Sequence, residues 1–130
     1  MNVNMKGRLT LAAATIAGLL LATGSTGASE KLTMRVTPNV SSAPSTVTVR
    51  AYVAPNANNR VLRIEADSGS FFRSSEIELD GDKAPTLTEF RFPSLPSGQY
   101  IVSAQLTDNA GDETTVRRTV VVLSQNGEPQ

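Results

Sequence analysis

The side chains in this sequence that could carry chemistry are carboxylates, arginines and a pair of adjacent phenylalanines; histidine and cysteine are both absent. That absence excludes triads with a histidine base, thiol nucleophiles, zinc held by His or Cys, and the pH switch that an imidazole provides. Asp80 and Asp82 fall in one turn-forming stretch, and Asp108, Asp112 and Glu113 in another. Turns gathered at one end of a β-sandwich can bring carboxylates around calcium, which favours oxygen ligands. Neither stretch has the spacing of a calcium loop, and Asp and Asn are also the residues that make turns. The sequence therefore predicts no metal and no cofactor. Glu76 and Glu78 share one strand face, Glu65 and Asp67 another. Paired carboxylates can divide acid and base roles, but a domain this small has no insertion from which to build a cleft. Cross-strand pairing with Arg50, Arg63 and Arg91 is the simpler use of these residues. On these grounds no catalysis is predicted.

Phe71-Phe72-Arg73 lies between Gly69-Ser70 and Ser74-Ser75. Two adjacent side chains on an extended strand point to opposite faces. Either one phenylalanine is exposed as an anchor for a partner, or the segment is an irregular loop that buries both. Arginines recur at outward strand positions near Tyr52, and Arg and Tyr are favoured where binding energy concentrates. The candidate partner surface is thus Tyr52, Phe71, Phe72 and Arg73, with a protein or glycan as the expected partner.

The elements that must position these residues are strands. From Leu32 onward apolar and polar residues alternate with period two, interrupted by clusters of Pro, Gly, Asn and Asp. Seven runs follow: around Leu32 to Val36, Val47 to Val53, Leu62 to Ala66, Ile77 to Leu79, Thr88 to Phe92, Tyr100 to Leu106, and Val116 to Leu123. In the last run Val120 to Leu123 is apolar at every position, which calls for a bulge or for burial on both faces. Short strands with turn signals at this spacing predict an all-β protein, a single seven-stranded antiparallel Greek-key β-sandwich over residues 29–124, with a polar tail over 125–130. Hydrophobic residues make up 39% and charged residues 18%, the balance of a globular chain.

The first residues read differently. Lys6 and Arg8 precede an apolar run from Leu9 to Ala22, then a small and polar stretch ending at Ala28-Ser29. This order predicts a signal-peptide helix over residues 1–28, cleaved after Ala28 or Ala22, and hence an exported, periplasmic or secreted protein. The run is short for a membrane span, which needs about 20 apolar residues, so membrane contact is expected only through an uncleaved leader. The whole chain has 12 basic and 12 acidic residues. Without Lys6 and Arg8 the balance is 10 against 12, which argues against nucleic acid as a partner.

The most specific stretch is Leu95-Pro96-Ser97-Gly98-Gln99-Tyr100-Ile101-Val102, followed by Leu106-Thr107-Asp108-Asn109-Ala110-Gly111. It resembles the corner and last hairpin of bacterial immunoglobulin-like and fibronectin type III domains. The resemblance implies that Tyr100 bonds back to the backbone upstream, that Leu95 tucks beneath the corner, and that Gly98 serves a turn of positive φ. The Cys pair and core Trp of antibody-type domains are missing, Val102 standing where the second Cys would be. Transthyretin-like modules show a similar run from Phe90 to Tyr100. On either resemblance the expected function is a non-catalytic exported binding or adhesion module, or alternatively a structural or accessory envelope protein that assembles with other exported chains. A secreted inhibitor or enzyme ranks behind both.

Overall fold

The computed structural model describes residues 31–125, so the expected leader over 1–28 lies outside the described residues, as does all but the first residue of the expected tail. The described chain is all-β apart from one 3-10 turn at Gly81–Lys83. No helix among the described residues is long and apolar enough to cross a membrane.

Eight strands form: β1 Leu32–Thr37, β2 Val40–Ser42, β3 Ser45–Val53, β4 Asn59–Asp67, β5 Phe72–Glu78, β6 Leu87–Leu95, β7 Gly98–Asp108 and β8 Glu113–Leu123. They build a three-stranded sheet in the order β1-β3-β6 and a five-stranded sheet in the order β2-β8-β7-β4-β5. The expected count of seven, with antiparallel pairing throughout, is corrected. The added strand β2 pairs parallel with the end of β8, placing Val40 beside Val121 and Ser42 beside Leu123. This contact explains the continuous apolar run in β8. Val120 and Val122 are buried between the sheets, while β2 partly covers Val121 and Leu123 from the side.

The alternation that predicted the strands is what fills the core. Leu32, Met34 and Val36 of β1 and Val47, Val49, Ala51 and Val53 of β3 point inward from one sheet. Leu62, Ile64 and Ala66 of β4 and Tyr100, Val102, Ala104 and Leu106 of β7 answer from the other. Alanines at 51, 66 and 104 alternate with larger side chains, so the layers interdigitate. The interior needs no disulfide, and no buried side-chain N or O among the described residues lacks a hydrogen-bond partner.

The two outer faces differ in sign. On the three-stranded sheet, Arg35, Arg50 and Arg91 face outward with Glu89. On the five-stranded sheet the outward positions carry Glu65, Glu76, Glu78 and Glu113 among fewer arginines. Arg50 pairs with Glu89 at 3.8 Å, and Arg63 bridges Glu65 at 3.5 Å and Glu76 at 3.0 Å. The two Glu76 contacts and the nearby carboxylates raise the Arg63 pKa, with the Glu76 hydrogen bond the main cause. All these pairs are largely solvated, so they orient side chains more than they stabilise the fold.

Candidate functional site

One end of the sandwich gathers loops that are far apart in sequence. The start of β1 is tied to the loop after β3 by Ala54 N donating to Lys31 O at 3.0 Å. That loop is tied to the β7–β8 hairpin by Asn109 N donating to Asn58 O at 2.9 Å. The hairpin is closed by Asp108 N donating to Asp112 O at 3.0 Å.

Asx geometry stiffens both turns. Asn56 Oδ1 accepts from Asn58 N at 2.8 Å. Asp108 Oδ1 accepts from Ala110 N at 2.9 Å and Asp112 N at 3.0 Å. Asn59 is buried, and its Nδ2 donates to Ala54 O at 3.0 Å, pinning the loop from beneath. A fourth element, the turn at Gly81–Lys83, presses on the same loop: a Cβ on Gly81 would lie 2.9 Å from Ala57 O.

These loops enclose a partly open pocket of about 120 Å³. Ala54, Pro55 and Leu106 supply its apolar lining, and Lys31, Asn58, Asp112 and Thr114 are among its polar residues. The Asn58 side-chain carboxamide, the Asp112 carboxylate and the Thr114 hydroxyl make no hydrogen bond among the described residues. A dry cavity of roughly 150 Å³ holds a molecule the size of benzene. The volume here therefore suits a solute of about half a dozen heavy atoms. An ammonium, a carboxylate, an amide and a hydroxyl around one such space can bind a small molecule bearing both charge and hydroxyl or amide groups.

The carboxylates singled out in the sequence divide. Asp108 and Asp112 line the pocket, while Asp80, Asp82 and Glu113 do not. No three side chains of the His, Cys, Asp and Glu types come together as a metal site among the described residues. Reading the sequence alone missed Lys31 and Thr114. The turn signals at Pro55–Asn59 and Asp108–Asp112 were visible, but nothing local says that the two turns share one end of the sandwich.

The four partner-surface candidates do not form one surface. Tyr52 lies exposed on the outer face of the three-stranded sheet, and Phe72 exposed on the outer face of the five-stranded sheet. Phe71 is half-buried and packs against the core. The Arg73 guanidinium stacks over the Phe71 ring at 5.3 Å, so it covers a partly buried aromatic.

The three corner residues do meet. The Tyr100 hydroxyl donates to Pro96 O at 2.7 Å, with the ring fully buried, and Leu95 is buried beside it. Burial raises the Tyr100 pKa above its ordinary value, opposed by Ser68 and Arg73. Gly98 has φ +158, at the limit of the region that favours glycine, and its more telling feature is closeness: a Cβ there would lie 3.2 Å from Ser68 Cβ. Ser68 in turn holds Phe71, whose N donates to Ser68 Oγ at 3.1 Å. The corner thus fastens the 95–100 crossing to the loop that carries Phe71.

No known protein family matches this sequence, and no curated protein matches it. Solved structures match its fold. A superoxide reductase (neelaredoxin) from Ignicoccus hospitalis superposes with a TM-score of 0.58 at 16% identity, over 72% of this chain and 80% of that one. Two further structures of that reductase with single substitutions give TM-scores of 0.56, at 18% and 16% identity. They cover 71% and 78% of this chain, and 79% and 85% of their own. Identity this low establishes the fold alone.

The neighbours nevertheless overturn two expectations. The fold is shared with superoxide reductases, so the assignment to immunoglobulin-like or fibronectin type III domains is corrected. The expectation of a non-catalytic binding, adhesion or envelope-assembly module is corrected too, in that the fold it was tied to is one whose solved examples are named superoxide reductases. Leu95, Gly98 and Tyr100 specify a local corner, and a corner does not fix the fold around it.

Reducing superoxide requires an electron, and so a redox-active group. The donor set does not fit a redox metal held by this chain. The sequence has no imidazole and no thiolate, the usual ligands of redox iron and copper, and its carboxylates do not converge among the described residues.

Proposed function

We propose that this protein acts through the loop-end pocket on a small polar solute carrying charge and hydrogen-bonding groups. The observation that carries this reading is the convergence of Lys31, Asn58, Asp112 and Thr114 on one space of about 120 Å³, with three of their polar groups unspent. The rigid turns beneath the pocket support it, since groups held in advance lose little freedom on binding. The order Lys6, Arg8, apolar run and Ala28 in the leader supports placing this site outside the cytoplasm.

A panel of free amino acids and small polyols, followed by thermal shift, tests the reading. At least one compound raises the melting temperature saturably. Asp112→Asn weakens that compound about tenfold or more, the loss expected for one charge-assisted hydrogen bond. A panel without effect, or equal affinity in the variant, would overturn the assignment.

Superoxide reduction is a second reading, favoured by the shared fold. It demands a redox group that the residues described above do not supply. Superoxide decay in the presence of the purified chain, measured with its metal content, decides the point. Decay that rises with protein concentration and falls when a bound group is stripped supports this reading; decay at the buffer rate refutes it.

A further inference from the structure

We infer that the two outer faces bind each other, joining the three-stranded face of one copy to the five-stranded face of the next. Arg35, Arg50 and Arg91 against Glu89 leave the smaller face two positive charges in excess. On the larger face Glu65, Asp67, Glu76, Glu78 and Glu113 outnumber Arg63 and Arg117, leaving it three negative. Opposed potentials favour contact between unlike faces and penalise contact between like ones.

Five large hydrophobic side chains are exposed, Val40, Tyr52, Phe72, Leu87 and Ile101, and all of them stand on these two faces. Tyr52 and Leu87 are register partners at the pocket end of the smaller face. Phe72 and Ile101 flank Asp67 at the opposite end of the larger one. Laying one face on the other with the pocket ends opposed puts Tyr52 and Leu87 over Phe72 and Ile101, with Asp67 between those two. The row of Arg35, Arg50 and Glu89, next along the smaller face, then falls over the row of Glu65 and Arg117, next along the larger.

Size and symmetry set the strength and reach of this contact. Three strands about 4.8 Å apart, with some seven residues each at about 3.3 Å, give a footprint of roughly 300 Å². A standard stable interface has about 800 Å² per partner, so this contact is weak and salt-sensitive. The two patches differ, so the contact is heterologous, and every dimer keeps one free face of each sign. Association therefore runs past the dimer.

Sedimentation velocity on the full chain tests this, as a concentration series at about 0.01 M and about 1 M salt, between which the screening length falls from roughly 30 to 3 Å. The expected result is growth beyond dimers at low salt and monomer at high salt. Two double variants isolate the faces: Arg35→Glu with Arg50→Glu, and Glu78→Lys with Ile101→Lys. All four positions are exposed, and circular dichroism melting confirms that each variant folds. Each variant alone is monomeric. Mixed, the intact acidic face of the first meets the intact basic face of the second, and a heterodimer forms that grows no further. A wild-type chain that stays monomeric at low salt, or a mixture that forms nothing, overturns the inference.

Discussion

Replacing Tyr100 by alanine is expected to cost about 3–5 kcal/mol, the usual loss on removing a buried aromatic ring. Domains are stable by about 5–15 kcal/mol in total, so this single change brings the chain close to unfolding. The ring is fully buried among the inward side chains of both sheets, and its hydroxyl holds Pro96 O at 2.7 Å. Tyr100→Phe separates the two contributions. It keeps the ring and loses the bond, for about 1 kcal/mol.

The pH dependence has a definite sign. Burial raises the folded-state pKa of Tyr100 above the ordinary 10. The group's contribution is therefore complete below about pH 10 and falls as pH rises through the folded value. Urea midpoints for the wild type decline in that alkaline range, and Tyr100→Phe declines less. A phenylalanine variant with the wild-type midpoint at neutral pH and the same alkaline loss would show that the hydroxyl holds nothing.

Gly81→Val is expected to cost about 2–5 kcal/mol, from two separate sources. Gly81 has φ +55, a left-handed conformation that costs an L-residue roughly 1–2 kcal/mol, and a β-branched one more. The new Cβ would also sit 2.9 Å from Ala57 O, a backbone atom that cannot rotate away, and overpacking of this kind costs about 1–3 kcal/mol. The displaced segment is the 54–59 loop that walls the pocket, so ligand affinity falls together with stability. By contrast Gly69→Ala has its Cβ in open space and meets only the strain of φ +90. Guanidinium melts of the two variants give the comparison; equal losses would mean that the contact with Ala57 is unimportant.

How much of this was legible in the sequence depends on how local each determinant is. Val47 to Val53 and Leu62 to Ala66 alternate over enough residues to give strand, face and burial together, and the structure buries that set. Strand β2 was not legible. Three residues between Pro38 and Pro44 cannot show a period, and its partner in β8 is distant along the chain. Strand β5 is an edge strand whose residues are mostly exposed on both faces, so Phe72 to Ser75 gave no alternation to read. Phe71 and Phe72 do differ in exposure, but only Phe72 lies in β5, and Tyr52 stands on the opposite side of the molecule. The pocket was the least legible part. Lys31 precedes the first strand and Asp112 the last, and only the sheet topology makes them neighbours.

The proposed site at the loop end is open to amide chemical-shift mapping of the labelled full chain, titrated with the compound that raises its melting temperature. Saturable shifts are expected to cluster at Lys31, Asn56 to Asn59 and Asp108 to Thr114, with the outer sheet faces unmoved. Shifts centred instead on Arg35, Arg50 and Arg91, or on Phe72 and Ile101, would place the site elsewhere.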